Sequence, residues 1–126
     1  MYEYLAVGLG GFFGAMARYG LSGWINRQFT PSFHYGTLVV NVIGSFCLGA
    51  LMFLAEERAA LSPQAKLCLC VGFMGALTTF STFGFETMSL IRQRELLQAS
   101  ANIGANVVLA VIAVLLGQMA VRASGL

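Results

Sequence analysis

Thr78-Thr79-Phe80-Ser81-Thr82-Phe83-Gly84 sits inside an otherwise apolar run that begins near Gln64 and continues to about Ile91. A helix crossing the hydrocarbon core of a bilayer needs about 20 apolar residues, so the run is long enough to span. Five hydroxyl or small residues around two phenylalanines nevertheless make a poor lipid-facing surface. Gly75 together with the adjacent threonines invites an unwound segment. Non-helical backbone at that depth must be buried in protein or line a cavity. This stretch therefore predicts a third span, over about 65–91, interrupted at its middle. An unwound turn exposes carbonyl oxygens that a helix would hold in its ladder, and such oxygens are hard ligands for a small cation. Phe80 and Phe83 carry two readings: core packing, or ring edges, which are electropositive, turned toward an anion.

Working outward, further apolar runs cover about 5–24, 37–55 and 97–121. The fold class predicted is an all-α membrane protein, a single domain over 1–126 with four transmembrane helices. Composition agrees: 58% of residues are hydrophobic and 10% charged, far from the roughly one-quarter charged of soluble domains, and the mean hydropathy is +0.79. The first run contains Gly10 and Gly14, a G-x-x-x-G pair that lets helices approach closely in lipid. Asn26 to Tyr35, with Pro31, reads as a loop. Glu56, Glu57 and Arg58 close the second run, and Ser62-Pro63 reads as an N-cap with proline in the first turn. Met1-Tyr2-Glu3-Tyr4 lacks the basic start and small-residue cleavage site of a signal peptide, so the first run is expected to remain as a helix.

A net charge of +2 does not point to nucleic acid, because the basic residues stand singly or in pairs near predicted helix ends. In a four-span chain Arg58, Lys66 and Arg122 fall on one side, and Arg27, Arg92 and Arg94 on the other, three against three. Orientation follows an excess of Lys and Arg in cytoplasmic loops, so a balanced chain has no strong reason to insert one way. Arg18, inside the first run, would tip the count by one if it reached the second face.

Polar groups in lipid are costly without partners, which makes the few present functional candidates. Asn41, Ser45 and Gly49 recur every four residues on one stripe of the second span, as do Asn102, Asn106 and Ala110 in the fourth. Amide donors at successive depths suit an anion moving in steps. The same asparagines also suit plain hydrogen bonding between helices. Arg18 and Glu86 are the remaining charges within spans, candidates for a transport path or, alternatively, interfacial anchors or partners of each other. Cys47, Cys68 and Cys70 lack zinc-site spacing and read as buried thiols, and His34 is the sole histidine.

Gly75-Ala76-Leu77-Thr78-Thr79-Phe80-Ser81-Thr82-Phe83 resembles the signature of the Fluc, or CrcB, family of fluoride channels. Gly36-Thr37-Leu38-Val39-Val40-Asn41 resembles the family's second-helix motif, and Gly14-Ala15-Met16-Ala17-Arg18-Tyr19 its first-helix arginine segment. The resemblance extends over essentially the whole chain. It implies an antiparallel, dual-topology homodimer in the bacterial inner membrane, multi-pass, with two fluoride pores built from both subunits. It also implies an anion pathway along Asn41, Phe80, Phe83, Ser81, Thr82, Asn102 and Asn106. A structural sodium ion at the dimer centre would be held by the carbonyls of Gly75 and Thr78. Ala110 departs from the family pattern, where a hydroxyl is often found. The activity implied is passive export of cytoplasmic fluoride, without enzymatic chemistry. The alternatives are a proton-coupled exporter of the small multidrug type, for which Glu86 is the sole candidate carboxylate and stands in the wrong helix, and a non-transporting assembly subunit.

Overall fold

The computed structural model describes residues 1–126 and is helical throughout, without a strand. Helix α1 covers Tyr2–Gln28 and α2 covers Tyr35–Glu56. The third run is composite: α3 (Pro63–Lys66), a π-helical stretch (Leu67–Met74), α4 (Gly75–Leu77) and α5 (Phe80–Arg92). Helix α6 covers Leu96–Ser124. Ser62 caps α3 as its sequence predicts, the hydroxyl accepting from the Ala65 N–H at 3.2 Å with Pro63 in the first turn.

Three of these helical runs are long and apolar enough to cross a membrane: α2, Pro63–Arg92 and α6. Helix α1 is not among them, although four apolar spans were expected. At 27 residues it is long enough, but six glycines, paired tyrosines near its start, Arg18, Asn26 and Arg27 dilute its hydropathy. The glycines serve contact instead. A Cβ on Gly10 would collide with the Cys68 carbonyl, and one on Gly14 with the Phe73 carbonyl, so backbone meets backbone where α1 lies along the π-helical stretch. Helices α2 and α6 form the most extensive pair and use the same device reciprocally, Gly49 against Val114 and Gly117 against Phe46.

Only 21 of the 126 residues are buried, too few for a water-soluble core of this length, and Leu9, Phe12, Leu115 and Met119 all face outward. Apolar solvent outside explains that surface; the inside holds the polar groups. Thr37, Glu86, Thr87, Asn102 and Asn106 are all buried.

The third run loses helical geometry at Thr78 (φ −82°, ψ 154°) and Thr79 (φ −148°, ψ 122°), both extended. Gly75, expected to mark an interruption, is itself helical at φ −62° and ψ −34°. The unwinding is confined to Thr78 and Thr79, the threonines expected to share it, where partners for an extended backbone exist.

Candidate functional site

Those partners come from α2. Thr79 donates its N–H to Asn41 Oδ1 at 2.8 Å, and Asn41 Nδ2 donates to the Thr79 carbonyl at 3.2 Å. One primary amide thus satisfies both backbone groups of a residue that no helix ladder serves. Thr79 also caps α5: its hydroxyl accepts from the Thr82 N–H at 3.3 Å and donates to the Thr82 hydroxyl at 3.1 Å. In an unbroken helix the Thr79 N–H would serve the Gly75 carbonyl and the Thr82 N–H the Thr78 carbonyl. Both carbonyls have lost those donors. The Ala76 carbonyl between them is taken by Arg18, whose Nε donates to it at 2.9 Å.

From Asn41 a chain of side-chain bonds runs through α6 to α5. Asn41 Nδ2 donates to Asn106 Oδ1 at 2.8 Å, and Asn106 Nδ2 donates to the Asn102 carbonyl at 2.9 Å and to Asn102 Oδ1 at 3.0 Å. Asn102 Nδ2 donates to the Thr87 hydroxyl at 2.9 Å, which in turn donates to the Phe83 carbonyl at 2.8 Å. The bonds Asn41–Asn106 and Asn102–Thr87 cross between helices, so the interhelical reading of the asparagines is realised. The structure adds a groove of about 320 Å³ into which this ladder opens, lined among others by Asn41, Ser45, Phe80, Phe83, Asn106 and Ala110. The two four-residue stripes, Asn41 and Ser45 on α2 and Asn106 and Ala110 on α6, therefore face the same space. Phe83 is buried at 8% exposure and Phe80 exposed at 81%, their centroids 5.4 Å apart.

Other candidates lie elsewhere. Ser81 is exposed and does not line the groove. Thr82 is engaged with Thr79. Arg18 supports α4 and Glu86 meets α2, so the two do not pair with each other. Glu86 Oε1 accepts from the Thr37 hydroxyl at 2.6 Å and lies 3.7 Å from His34 Nδ1, while Oε2 is buried without a partner. Thr37, Thr87 and the capping role of Thr79 escaped sequence reasoning. For Thr87 a signal was available: it stands four residues after Phe83, on the same face of α5.

A buried amide ladder ending in a groove beside a broken, membrane-length helical run defines a multi-pass membrane protein built around a polar path. The comparisons place it further: residues 5–118 match the family model described as CrcB-like protein, Camphor Resistance (CrcB), and the chain belongs to that family. It is 44% identical over 119 residues to "Fluoride-specific ion channel FluC 1" of Methanosarcina acetivorans, covering 94% of this chain and 90% of the relative. It is 42% identical over 119 residues to "Fluoride-specific ion channel FluC" of Geotalea uraniireducens, covering 94% and 96%. The protein of the same name from Sorangium cellulosum is 44% identical over 122 residues, covering 97% and 96%.

Proposed function

We propose that this chain is a fluoride-selective channel through which cytoplasmic fluoride leaves down its electrochemical gradient. The observation that carries the reading is the amide ladder of Asn41, Asn106 and Asn102, which meets the two phenylalanines at the groove. Its relatives are named as fluoride-specific ion channels. Fluoride is compact and strongly hydrated, so a pore must replace lost water with donors at close range. Each ladder amide is already bonded to a protein acceptor. An arriving anion exchanges one partner for another and leaves no buried donor unpaired, which keeps each step shallow. The ring edges of Phe80 and Phe83 add positive potential without a fixed charge that would trap the ion. No covalent chemistry is involved.

The working unit in this reading is an antiparallel, dual-topology homodimer in the bacterial inner membrane, each subunit crossing four times. Balanced loop charges support insertion both ways, and the groove, open on one side, leaves room for a wall from a second copy. Ser81, exposed on α5, becomes available to that wall. Helix α1 crosses despite its modest hydropathy because its glycine face is buried along the third run. A structural sodium ion at the dimer centre fits the carbonyls of Gly75 and Thr78, which have lost their helical donors; as a hard cation it would neutralise their partial charges.

Purified protein in liposomes is expected to release fluoride rapidly under an ionophore-set potential and not to release chloride comparably. Absence of efflux, or efflux that requires a proton gradient, sinks the channel reading.

A further inference from the structure

We infer that Ser45 is a further selectivity-determining contact on the anion path, its hydroxyl meeting the ion one helical turn beyond Asn41. The inference rests on the channel reading above and extends it to a residue outside the ladder.

Five polar side chains line the groove: Asn41, Ser45, Thr78, Thr79 and Asn106. Four are engaged within the protein. Asn41 holds Thr79 and Asn106, Asn106 holds Asn102, Thr78 donates to the Met74 carbonyl at 3.0 Å, and Thr79 bonds Thr82. Ser45 has no hydrogen-bond partner. A hydroxyl inside a helix can return its proton to the carbonyl four residues back. Ser22 does so to Arg18 at 2.6 Å and Thr87 to Phe83 at 2.8 Å. Ser45, four residues after Asn41, does not. Nor is it sealed off: the one buried, unpartnered side-chain oxygen or nitrogen is Glu86 Oε2, so the Ser45 hydroxyl remains reachable from the groove.

The opposite wall strengthens the assignment. Beyond Asn106, α6 presents Val107, Ala110 and Val111 to the groove, and α2 adds Leu48. Past the Asn41–Asn106 rung the groove is therefore apolar except for Ser45. A dehydrating anion leaving that rung toward the Glu56 end of α2 finds one side-chain donor of this subunit there. A hydroxyl reaches a small anion closely and gains less from a larger one, so it favours fluoride over chloride.

The test compares fluoride and chloride efflux from liposomes for wild type, Ser45→Ala, Ser45→Thr, and the double variant Ser45→Ala with Ala110→Ser. Losing one donor to an ion is expected to slow fluoride by about tenfold and lower the fluoride-to-chloride ratio. Ser45→Thr keeps the hydroxyl and most of the flux. The double variant returns a hydroxyl to the same space from α6 and recovers part of the lost rate. Should Ser45→Ala fail to assemble by size-exclusion chromatography, Ser45→Cys, a weaker donor of similar size, is expected to show the same fall. Fluoride flux unchanged in the assembled Ala or Cys variant, or a reduction that Ala110→Ser does not relieve, overturns the inference. Wild type that moves no fluoride overturns the channel reading instead.

Discussion

Asn41 Oδ1 accepts the Thr79 N–H at 2.8 Å while Asn41 Nδ2 donates both to the Thr79 carbonyl and to Asn106 Oδ1. A single amide thus joins the unwound point of the third run to the ladder on α6. A change that keeps its shape but removes its donors leaves it only the bond from the Thr79 N–H.

Asn41→Asp is such a change. The carboxylate can still accept from the Thr79 N–H, but it can donate neither to the Thr79 carbonyl nor to Asn106, and it repels an anion. Fluoride efflux is expected to fall by roughly a hundredfold or more, equivalent to about 3 kcal/mol at the barrier. Flux kept within a few-fold of wild type, measured with a fluoride electrode, would move the path away from Asn41.

The phenylalanines are expected to divide by burial. Phe80, 81% exposed, contributes little to holding the subunit together, whereas Phe83 is 8% exposed. Phe80→Ala should lower fluoride flux with little change in thermal stability. Phe83→Ala should also lower the melting temperature in detergent, since emptying a buried ring site costs about 3 kcal/mol. Equal melting shifts for the two variants would contradict this division.

Thr79→Val removes the hydroxyl that caps α5 and leaves the Asn41 clamp on the backbone in place. A loss of about 1 kcal/mol is expected from the missing cap, read as a modest drop in unfolding midpoint. An unaltered midpoint would mean that Asn41 alone holds the break.

Gly14→Leu should prevent α1 from seating, because even a Cβ there strikes the Phe73 carbonyl. The expected outcome is loss of monodisperse protein on size-exclusion chromatography, whereas Gly8→Ala, with open space around it, is tolerated. Normal yield from Gly14→Leu would show that α1 can lie elsewhere.

Replacing sodium by a large organic cation during purification should weaken subunit association if the Gly75 and Thr78 carbonyls hold a structural ion. Static light scattering reads the result, and a dimer fraction indifferent to sodium would count against that ion.

Helix positions were legible because lipid makes apolar runs long and their ends polar; the Ser62-Pro63 start of the third run is visible as a local cap signal. The groove-facing stripes were legible too, since Asn41 and Ser45, like Asn106 and Ala110, follow the four-residue spacing of one helix face. The unwinding was legible in part: of the residues expected to share it, Thr78 and Thr79 are extended and Gly75 is helical. Its partner was not legible, because the side chain of Asn41, which offers the donor and the acceptor, is remote in sequence. The Thr37–Glu86 bond, between residues 49 apart, was equally hidden. Periodicity reports which face a residue occupies, not which residue meets it from another helix. Helix α1 was legible as a helix, but its modest hydropathy average takes no account of the close backbone contact that its glycines make.

The ladder of Asn41, Asn106, Asn102 and Thr87 is bonded to itself from end to end. A wall of that kind has no need of a passenger to keep its shape. In the proposed channel it would stand idle for as long as the ion is scarce and work at once when it arrives, with no refolding to delay the first passage. Readiness, on this view, is a property of side chains that already keep one another company.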